Sequence, residues 1–80
     1  MSDDGMSDDI RILADVAGTV WKVLVEEGDE VVADDALLVL ESMKMEIPAT
    51  APAAARVVSV FATEGAVVAE DELLMLLRRR

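Results

Sequence analysis

The chain contains an internal repeat, in which a series of residues 37 positions apart are identical and align in order without a gap. The identical pairs include Ala14/Ala51, Val20/Val57, Val23/Val60, Glu27/Glu64, Gly28/Gly65, Val31/Val68, Asp34/Asp71 and Leu37/Leu74. A glycine turn that occurred twice by chance would not align this many residues in order. In a chain of 80 residues, neither half is long enough to bury an apolar face alone, so the repeat predicts two equivalent halves packed face to face.

Each half has the pattern of short strands separated by tight turns. Residues 19–25 and 56–62 place valine or aromatic side chains on a two-residue period, which is typical of half-buried strands. Residues 36–40 and 73–77 are continuous apolar runs that are too short for an ordinary helix. Turns are predicted at Gly28-Asp29, Asp34-Asp35, Gly65 and Glu70-Asp71. We therefore predict an all-β fold, a flattened β-barrel or sandwich of two four-stranded antiparallel sheets with pseudo-twofold symmetry.

Composition restricts both the core and the chemistry. Hydrophobic residues make up 54% of the chain and aromatic residues 2%, so the core must be built from valine, leucine, isoleucine, alanine and methionine. Without cysteine or histidine there are no disulfides, no Cys/His metal sites and no histidine acid–base catalysis. The net charge of −10 argues against nucleic acids and anionic membranes as partners. We expect a soluble, cytoplasmic module that holds no metal and catalyses nothing by itself.

The two ends of the chain differ from the repeat. Residues 1–9 are acidic and lack apolar periodicity, so they are predicted to form a disordered leader with no signal-peptide character. Residues 10–77 are predicted to form the folded domain. The last three residues, 78–80, are all arginine and are interpreted as a solvated basic tail.

One segment, residues 40–48, has no counterpart in the repeat. A hairpin is predicted here between strands at 36–42 and 45–50, with Met43-Lys44 as its central pair and its tip opposite the termini. Tight hairpins favour Asn-Gly or Gly-Gly at these positions, because both central residues need positive φ. A local rule broken in a regular sequence indicates function. Lys22, the chain's other lysine, is expected on a strand facing solvent.

The sequence Glu41-Ser42-Met43-Lys44-Met45-Glu46 resembles the attachment motif of biotinyl domains, the carrier modules of biotin-dependent carboxylases. The resemblance covers residues 10 to 77 and is greatest for the short, stand-alone carriers. The flanking residues that agree are Gly18 to Val23, Glu27-Gly28-Asp29, Ile47-Pro48, Ala51-Pro52 and Glu64-Gly65. The departures are Asp15 for a proline, Ala55 for a glycine, and Glu70 and Asp71 for turn glycines. They bring the turn geometry into question but not the attachment site.

The resemblance implies that Lys44 is covalently biotinylated by a biotin protein ligase. The biotin arm would then carry a carboxyl group from a biotin carboxylase to a carboxyltransferase, with the chain itself non-catalytic. An acyl-CoA carboxylase acting in fatty acid metabolism is the kind of enzyme implied, and the free carrier is expected to be monomeric.

The resemblance also assigns roles to the neighbours of Lys44. Met43 and Met45 are expected to contact the cofactor and the partner surfaces, and packing against the domain is the alternative for Met45. Glu41, Ser42 and Glu46 are candidates for recognition by the ligase and partners, with solvated strand positions as the alternative for the two glutamates. Two other functions stay open. A lipoyl carrier has the same fold but usually shows Asp-Lys-Ala, and an interaction module of this fold without a cofactor needs no tip lysine.

Overall fold

The chain folds into eight short β-strands within residues 9–80, the part that the computed structural model describes. The strands are β1 (Asp9–Leu13), β2 (Gly18–Val23), β3 (Glu30–Val31), β4 (Ala36–Ser42), β5 (Met45–Thr50), β6 (Ala55–Val60), β7 (Val67–Val68) and β8 (Leu73–Arg79). No helix occurs in this range. The two strands predicted around Met43-Lys44 have the expected bounds.

The strands form two separate four-stranded antiparallel sheets. We call the sheet with the order β1-β8-β6-β3 the terminal sheet, and the sheet with the order β5-β4-β2-β7 the hairpin sheet. Adding 37 to the residue numbers of β1, β2, β3 and β4 gives β5, β6, β7 and β8, so the repeat exchanges the two sheets. This confirms the predicted pseudo-symmetric sandwich. The sheets do not close into a barrel, because pairing in each ends at a two-residue edge strand, β3 or β7.

The two halves of the repeat complete each other's turns through matching hydrogen bonds. Gly28 donates its backbone N–H to the carbonyl of Val57 at 2.8 Å, and Gly65 donates to the carbonyl of Val20 at 2.7 Å. The Glu27 carboxylate accepts from the N–H of Val60 and the Glu64 carboxylate from the N–H of Val23, at 3.3 and 2.9 Å. In each of these two pairs of hydrogen bonds, donor and acceptor in one half have their equivalents in the other. Neither half therefore satisfies its own backbone without its partner.

The core is aliphatic, as the composition predicts. The fully buried side chains of greatest volume are Leu37, Leu38, Leu40, Leu74, Met75, Leu77, Val20 and Val57. β-bulges at Leu37 and Leu74 let adjacent residues both point inward, since the extra residue breaks the alternation of faces. This explains why β4 and β8 are continuous apolar runs in the sequence.

The two-residue period predicted for residues 19–25 and 56–62 is wrong in part. Register shifts at the equivalent positions Trp21 and Val58 interrupt the alternation in β2 and β6. Trp21 and Phe61 are therefore about half exposed instead of packing inward, at 45% and 55%. The Lys22 amine lies 5.6 Å from the centroid of the Trp21 ring on the same exposed surface, which confirms that Lys22 faces solvent.

The strands reach further than the predicted domain of residues 10–77. β1 begins at Asp9, and Arg78 and Arg79 belong to β8 rather than to a loose tail. Ion pairs contribute to this extension, because Arg78 contacts Asp9 at 3.3 Å and Arg80 contacts Glu30 at 3.0 Å. Apart from Asp9, the predicted acidic leader lies outside the described residues.

The turn at Glu70 and Asp71, where the family has glycines, has the same backbone geometry as the equivalent turn in the first half. Asp71 has φ of 70°, and its equivalent Asp34 has φ of 75°. Each donates its backbone N–H across the repeat at 2.7 Å, Asp71 to Ala14 and Asp34 to Ala51. Aspartate tolerates this left-handed conformation better than most residues with a side chain. The turn is thus formed without a glycine.

Candidate functional site

The β4–β5 hairpin has a two-residue turn whose central residues both have positive φ. Ser42 and Met45 form the last pair of the ladder, and Met43 and Lys44 lie between them with φ of 53° and 67°. Positive φ at both central residues is the mark of a type I′ turn, in which asparagine and glycine are preferred. The sequence prediction for this pair is confirmed.

The surrounding hairpin holds this unfavourable turn in place. A residue with a side chain in the left-handed region costs on the order of 1–3 kcal/mol. Behind the turn, β4 and β5 pair along their length, and Leu40 opposite Ile47 is buried in the core with 2% of its surface exposed. The buried ladder fixes the register, so the chain must reverse at Met43-Lys44.

The side chains at the tip extend into solvent. Met43 is 92% exposed and Met45 63% exposed, so packing of Met45 against the domain, the alternative interpretation, is wrong. Lys44 is also exposed. All three ion pairs within residues 9–80 are made by arginines, and none involves Lys44. The tip therefore presents an accessible amine between two thioether side chains.

The residues that flank the tip carry negative charge. Glu41 and Glu46 lie directly opposite each other on β4 and β5, and both are exposed. Like charges in this position destabilise a hairpin by about 0.2–1 kcal/mol. Ser42, the next residue on β4, is half-buried. The structure places all six motif residues together at one end of the hairpin sheet, and their roles in recognition stay a prediction.

Gly18 supports the base of the hairpin through a close approach of two strands. A Cβ atom at Gly18 would lie 2.6 Å from the carbonyl oxygen of Glu41 and 3.3 Å from the Cβ of Ser42. The absence of a side chain thus lets β2 lie against the last residues of β4. In the sequence, Gly18 was noted only as part of the family resemblance. The need for a glycine here comes from a contact with another strand, which the residues next to Gly18 do not indicate.

Gly18→Ala is expected to destabilise the fold by about 1–3 kcal/mol, since the methyl group can be accommodated only if β4 backbone moves. It should also slow modification of Lys44, because the displaced residues lead directly into the turn. Thermal unfolding and a labelling time course measure the two effects. Ala55, the equivalent residue in the repeat, provides the comparison within the same fold. It is fully buried and already carries the methyl group that Gly18→Ala would add. Unchanged stability and labelling in Gly18→Ala would show that this contact is easily relieved.

Met43→Asn is expected to raise the melting temperature by about 4–8 °C, the equivalent of roughly 1 kcal/mol in a domain of this size. Asparagine adopts positive φ more readily than methionine, and Met43 makes little contact with the domain. If Met43 serves recognition, the same variant should be labelled more slowly. Val32→Asn, at an exposed residue away from the hairpin, is the control for added polarity. A lower melting temperature in Met43→Asn would contradict the interpretation of a strained turn.

The described residues contain neither a grouping of three or more side chains suited to bind a metal ion nor a helix with the length and apolarity to cross a membrane. The hairpin tip is the candidate site because it places an exposed lysine on a strained turn. A single amine on an exposed turn is accessible to a partner protein without a cavity around it.

The family model for the domain described as "Biotin-requiring enzyme" matches residues 12–77. A relative from Mycobacterium leprae, the biotinylated protein TB7.3 homolog, is 39% identical over 72 residues, covering 90% of this chain and 99% of its own length. The alpha subunit of rat mitochondrial methylcrotonoyl-CoA carboxylase is 48% identical over 54 residues, which are 68% of this chain and 8% of that subunit. Among solved structures, a single-chain, multi-domain long-chain acyl-CoA carboxylase superposes with a TM-score of 0.86 and 38% identity, over 91% of this chain and 7% of that one.

A two-sheet sandwich with a lysine on a strained, exposed turn is the architecture of a carrier domain. The chain belongs to the biotin/lipoyl attachment domain family. It spans nearly the whole of the mycobacterial relative but less than a tenth of the two carboxylases. In those large enzymes the matching part is one small domain among others.

Proposed function

We propose that this chain is a biotin carboxyl carrier, modified on Lys44 by a biotin protein ligase. The observation that carries the proposal is the turn itself. Lys44 has positive φ and lies between two exposed methionines, in a domain of the attachment family. Relatives that are carboxylases, or are named as biotinylated, support biotin as the group that is held. The cytoplasm is the proposed location.

The contribution of the chain is to present the amine and to give the arm its freedom. Lys44 projects from a rigid turn, and no neighbour among the described residues is bonded to its side chain. The ammonium must lose a proton before it can attack an activated carboxyl group, and the ligase is proposed to supply that base. Amide formation removes the charge of Lys44 and leaves Glu41 and Glu46 as the charges next to the arm.

Attached biotin would accept a carboxyl group at one enzyme and release it at another. The lysine and biotin side chains together reach on the order of 15 Å from the turn. Tethering raises the local concentration of the carried group at both enzymes, which are proposed to be a biotin carboxylase and a carboxyltransferase of an acyl-CoA carboxylase. A monomer leaves the tip accessible to each of them in turn.

The intact mass of the chain after incubation with a biotin protein ligase, ATP and biotin tests the proposal, with a parallel reaction using a lipoate ligase and lipoate. We expect a gain of one biotinyl group, located at Lys44 by peptide mapping, and no gain with lipoate. Modification by lipoate alone would make the chain a lipoyl carrier. No gain in either reaction would favour an interaction module without a cofactor.

A further inference from the structure

The basic residues of this acidic chain are concentrated on one of its two sheets. All five arginines lie on the terminal sheet or directly after it: Arg11 on β1, Arg56 on β6, Arg78 and Arg79 on β8, and Arg80 at the end of the chain. Lys22 and Lys44 lie on the hairpin sheet. In a protein with a net charge of −10, this segregation leaves a locally basic surface on the sheet that does not carry the motif around Lys44.

Two of the arginines form the centre of a charged row across the outer face of the terminal sheet. The pairing register places Asp9, Arg78, Arg56 and Glu30 directly opposite one another on β1, β8, β6 and β3. Each arginine contacts the carboxylate at its own edge, at 3.3 Å for Arg78 and Asp9 and at 3.2 Å for Arg56 and Glu30. The guanidinium groups of Arg56 and Arg78 are thus neighbours in the middle of the sheet. Two like charges directly opposite each other destabilise the pairing of their strands.

The hairpin sheet shows that the fold does not require this arrangement. The residues equivalent to Asp9, Arg78, Arg56 and Glu30 are Glu46, Glu41, Thr19 and Val67, and they form the same row with the same register. The repeat therefore builds an identical row without an arginine. Pairing in this row therefore does not by itself require the two arginines, although here they hold Asp9 and Glu30 in ion pairs.

Apolar side chains lie beside the arginines on the same face. A shallow depression of about 250 Å³ is lined by Arg56, Val58 and the three C-terminal arginines, and another of about 420 Å³ by Asp9, Arg11, Leu73 and Leu76. Val58 and Leu73 are each more than a third exposed. Arginine is enriched at protein–protein interfaces, and the partly exposed aliphatic side chains beside it provide apolar area that a partner can bury.

We propose that the outer face of the terminal sheet, centred on Arg56 and Arg78, is a docking surface for an acidic patch of a carboxylase component. The inference rests on the proposed carrier function and extends it, since it names the surface by which the carrier is held. Arg56 and Arg78 each retain guanidinium donors beyond their contact with Glu30 or Asp9, so partner carboxylates can join them. The tip with Lys44 belongs to the other sheet, so docking here leaves the arm free.

The occupant is a carboxylate-bearing protein surface rather than a phosphate polymer. A nucleic acid or an anionic membrane extends well beyond this face and would meet the acidic remainder of the chain. A protein patch of matching size feels mainly the charges it touches, because screening at physiological salt acts within about 8 Å. A second copy of this chain would offer Glu41 and Glu46 as its acidic patch and would cover Lys44 in doing so.

The test is the affinity of the unmodified chain for the purified biotin carboxylase and for the purified carboxyltransferase of the same organism, measured by biolayer interferometry at 50 and 500 mM NaCl. The variant Arg56→Thr/Arg78→Glu carries the residues that the fold already holds at the equivalent positions Thr19 and Glu41. We expect its Kd for at least one of the enzymes to rise tenfold or more at low salt. High salt should remove most of the difference from the unaltered chain.

Lys22→Glu is the control for added negative charge, because it removes one basic residue and adds one acidic residue, as Arg78→Glu does, on the outer face of the other sheet. Its Kd should stay within twofold. An equal loss in both variants would mean that only net charge matters, and no loss in either would overturn the docking surface. Arginine-dependent binding to oligothymidylate or to phosphatidylserine vesicles would also overturn the proposal. Self-association that the double variant abolishes, measured by sedimentation, would overturn it as well. Melting temperatures show whether the variants fold. The Kd of the unaltered chain at low and high salt tests the charged docking surface without any variant.

Biotinylation by the ligase is measured on the same samples and separates the two proposals. Labelled chains whose affinity does not depend on the arginines would contradict the docking surface alone. Arginine-dependent binding by a chain that no ligase labels would contradict the carrier function alone.

Discussion

Lys44→Arg should abolish biotinylation completely while leaving the fold intact. Arginine keeps the positive charge and much of the length of lysine, but its guanidinium is not a nucleophile at neutral pH. The side chain is exposed and makes none of the ion pairs found within residues 9–80, so the melting temperature should change by less than a few degrees. Intact mass after exhaustive reaction with ligase, ATP and biotin measures the loss, and calorimetry or circular dichroism measures the stability.

Lys22→Arg is the matched control for this experiment. Lys22 is also an exposed lysine on the hairpin sheet, but it lies in the middle of β2 beside Trp21 and away from the turn. It should be labelled as fully as the unaltered chain. Residual labelling of Lys44→Arg, lost only when Lys22 is replaced as well, would show that the attachment site has been assigned to the wrong lysine.

Leu38→Ala and Leu74→Ala should each destabilise the domain by about 2–5 kcal/mol. Both side chains are completely buried, Leu38 on the hairpin sheet and Leu74 on the terminal sheet, and both lie at or next to a β-bulge that turns adjacent residues inward. Alanine would leave a cavity that the paired strands cannot readily fill. Urea denaturation gives the change in the free energy of unfolding, and an unchanged m-value would show that the denatured state is not the cause.

Leu24→Ala is the comparison for these two variants, because Leu24 is the same residue type and is 51% exposed. Its effect should stay near 0.5 kcal/mol or below. A change of that small size at both Leu38 and Leu74 would contradict a core shared by the two sheets.

The repeat and the turn residues were sufficient to predict the architecture and the candidate site. Identities such as Gly28/Gly65 and Asp34/Asp71 fall at positive φ in both halves, so the sequence signal had a direct backbone cause. The pair Met43-Lys44 was recognisable because it is an unsuitable sequence for the turn that it forms. The role of Lys44 as the attachment point is still a prediction, since the geometry establishes only its accessibility.

The misassigned features depend on contacts between strands. The bulges at Trp21 and Val58 change which side chains face the core, yet each is fixed by the register with the neighbouring strand. A two-residue period read along one strand contains no information on that register. The inclusion of Asp9 and Arg78 in strands likewise follows from their pairing with each other, across nearly the whole chain.

The reciprocal hydrogen bonds between the halves also determine when the domain can form during synthesis. A nascent chain that has emerged as far as Thr50 contains the entire β4–β5 hairpin, but the strands that cover its apolar face, β6 and β8, have not yet been made. By then β2, β4 and β5 of the hairpin sheet have been made, but their apolar face still lacks the second sheet against which it must be buried. The strained turn at Met43-Lys44 therefore becomes a lasting structure only once β6 and β8 have been made, and an enzyme that reads the folded turn acts after the second half of the repeat is available.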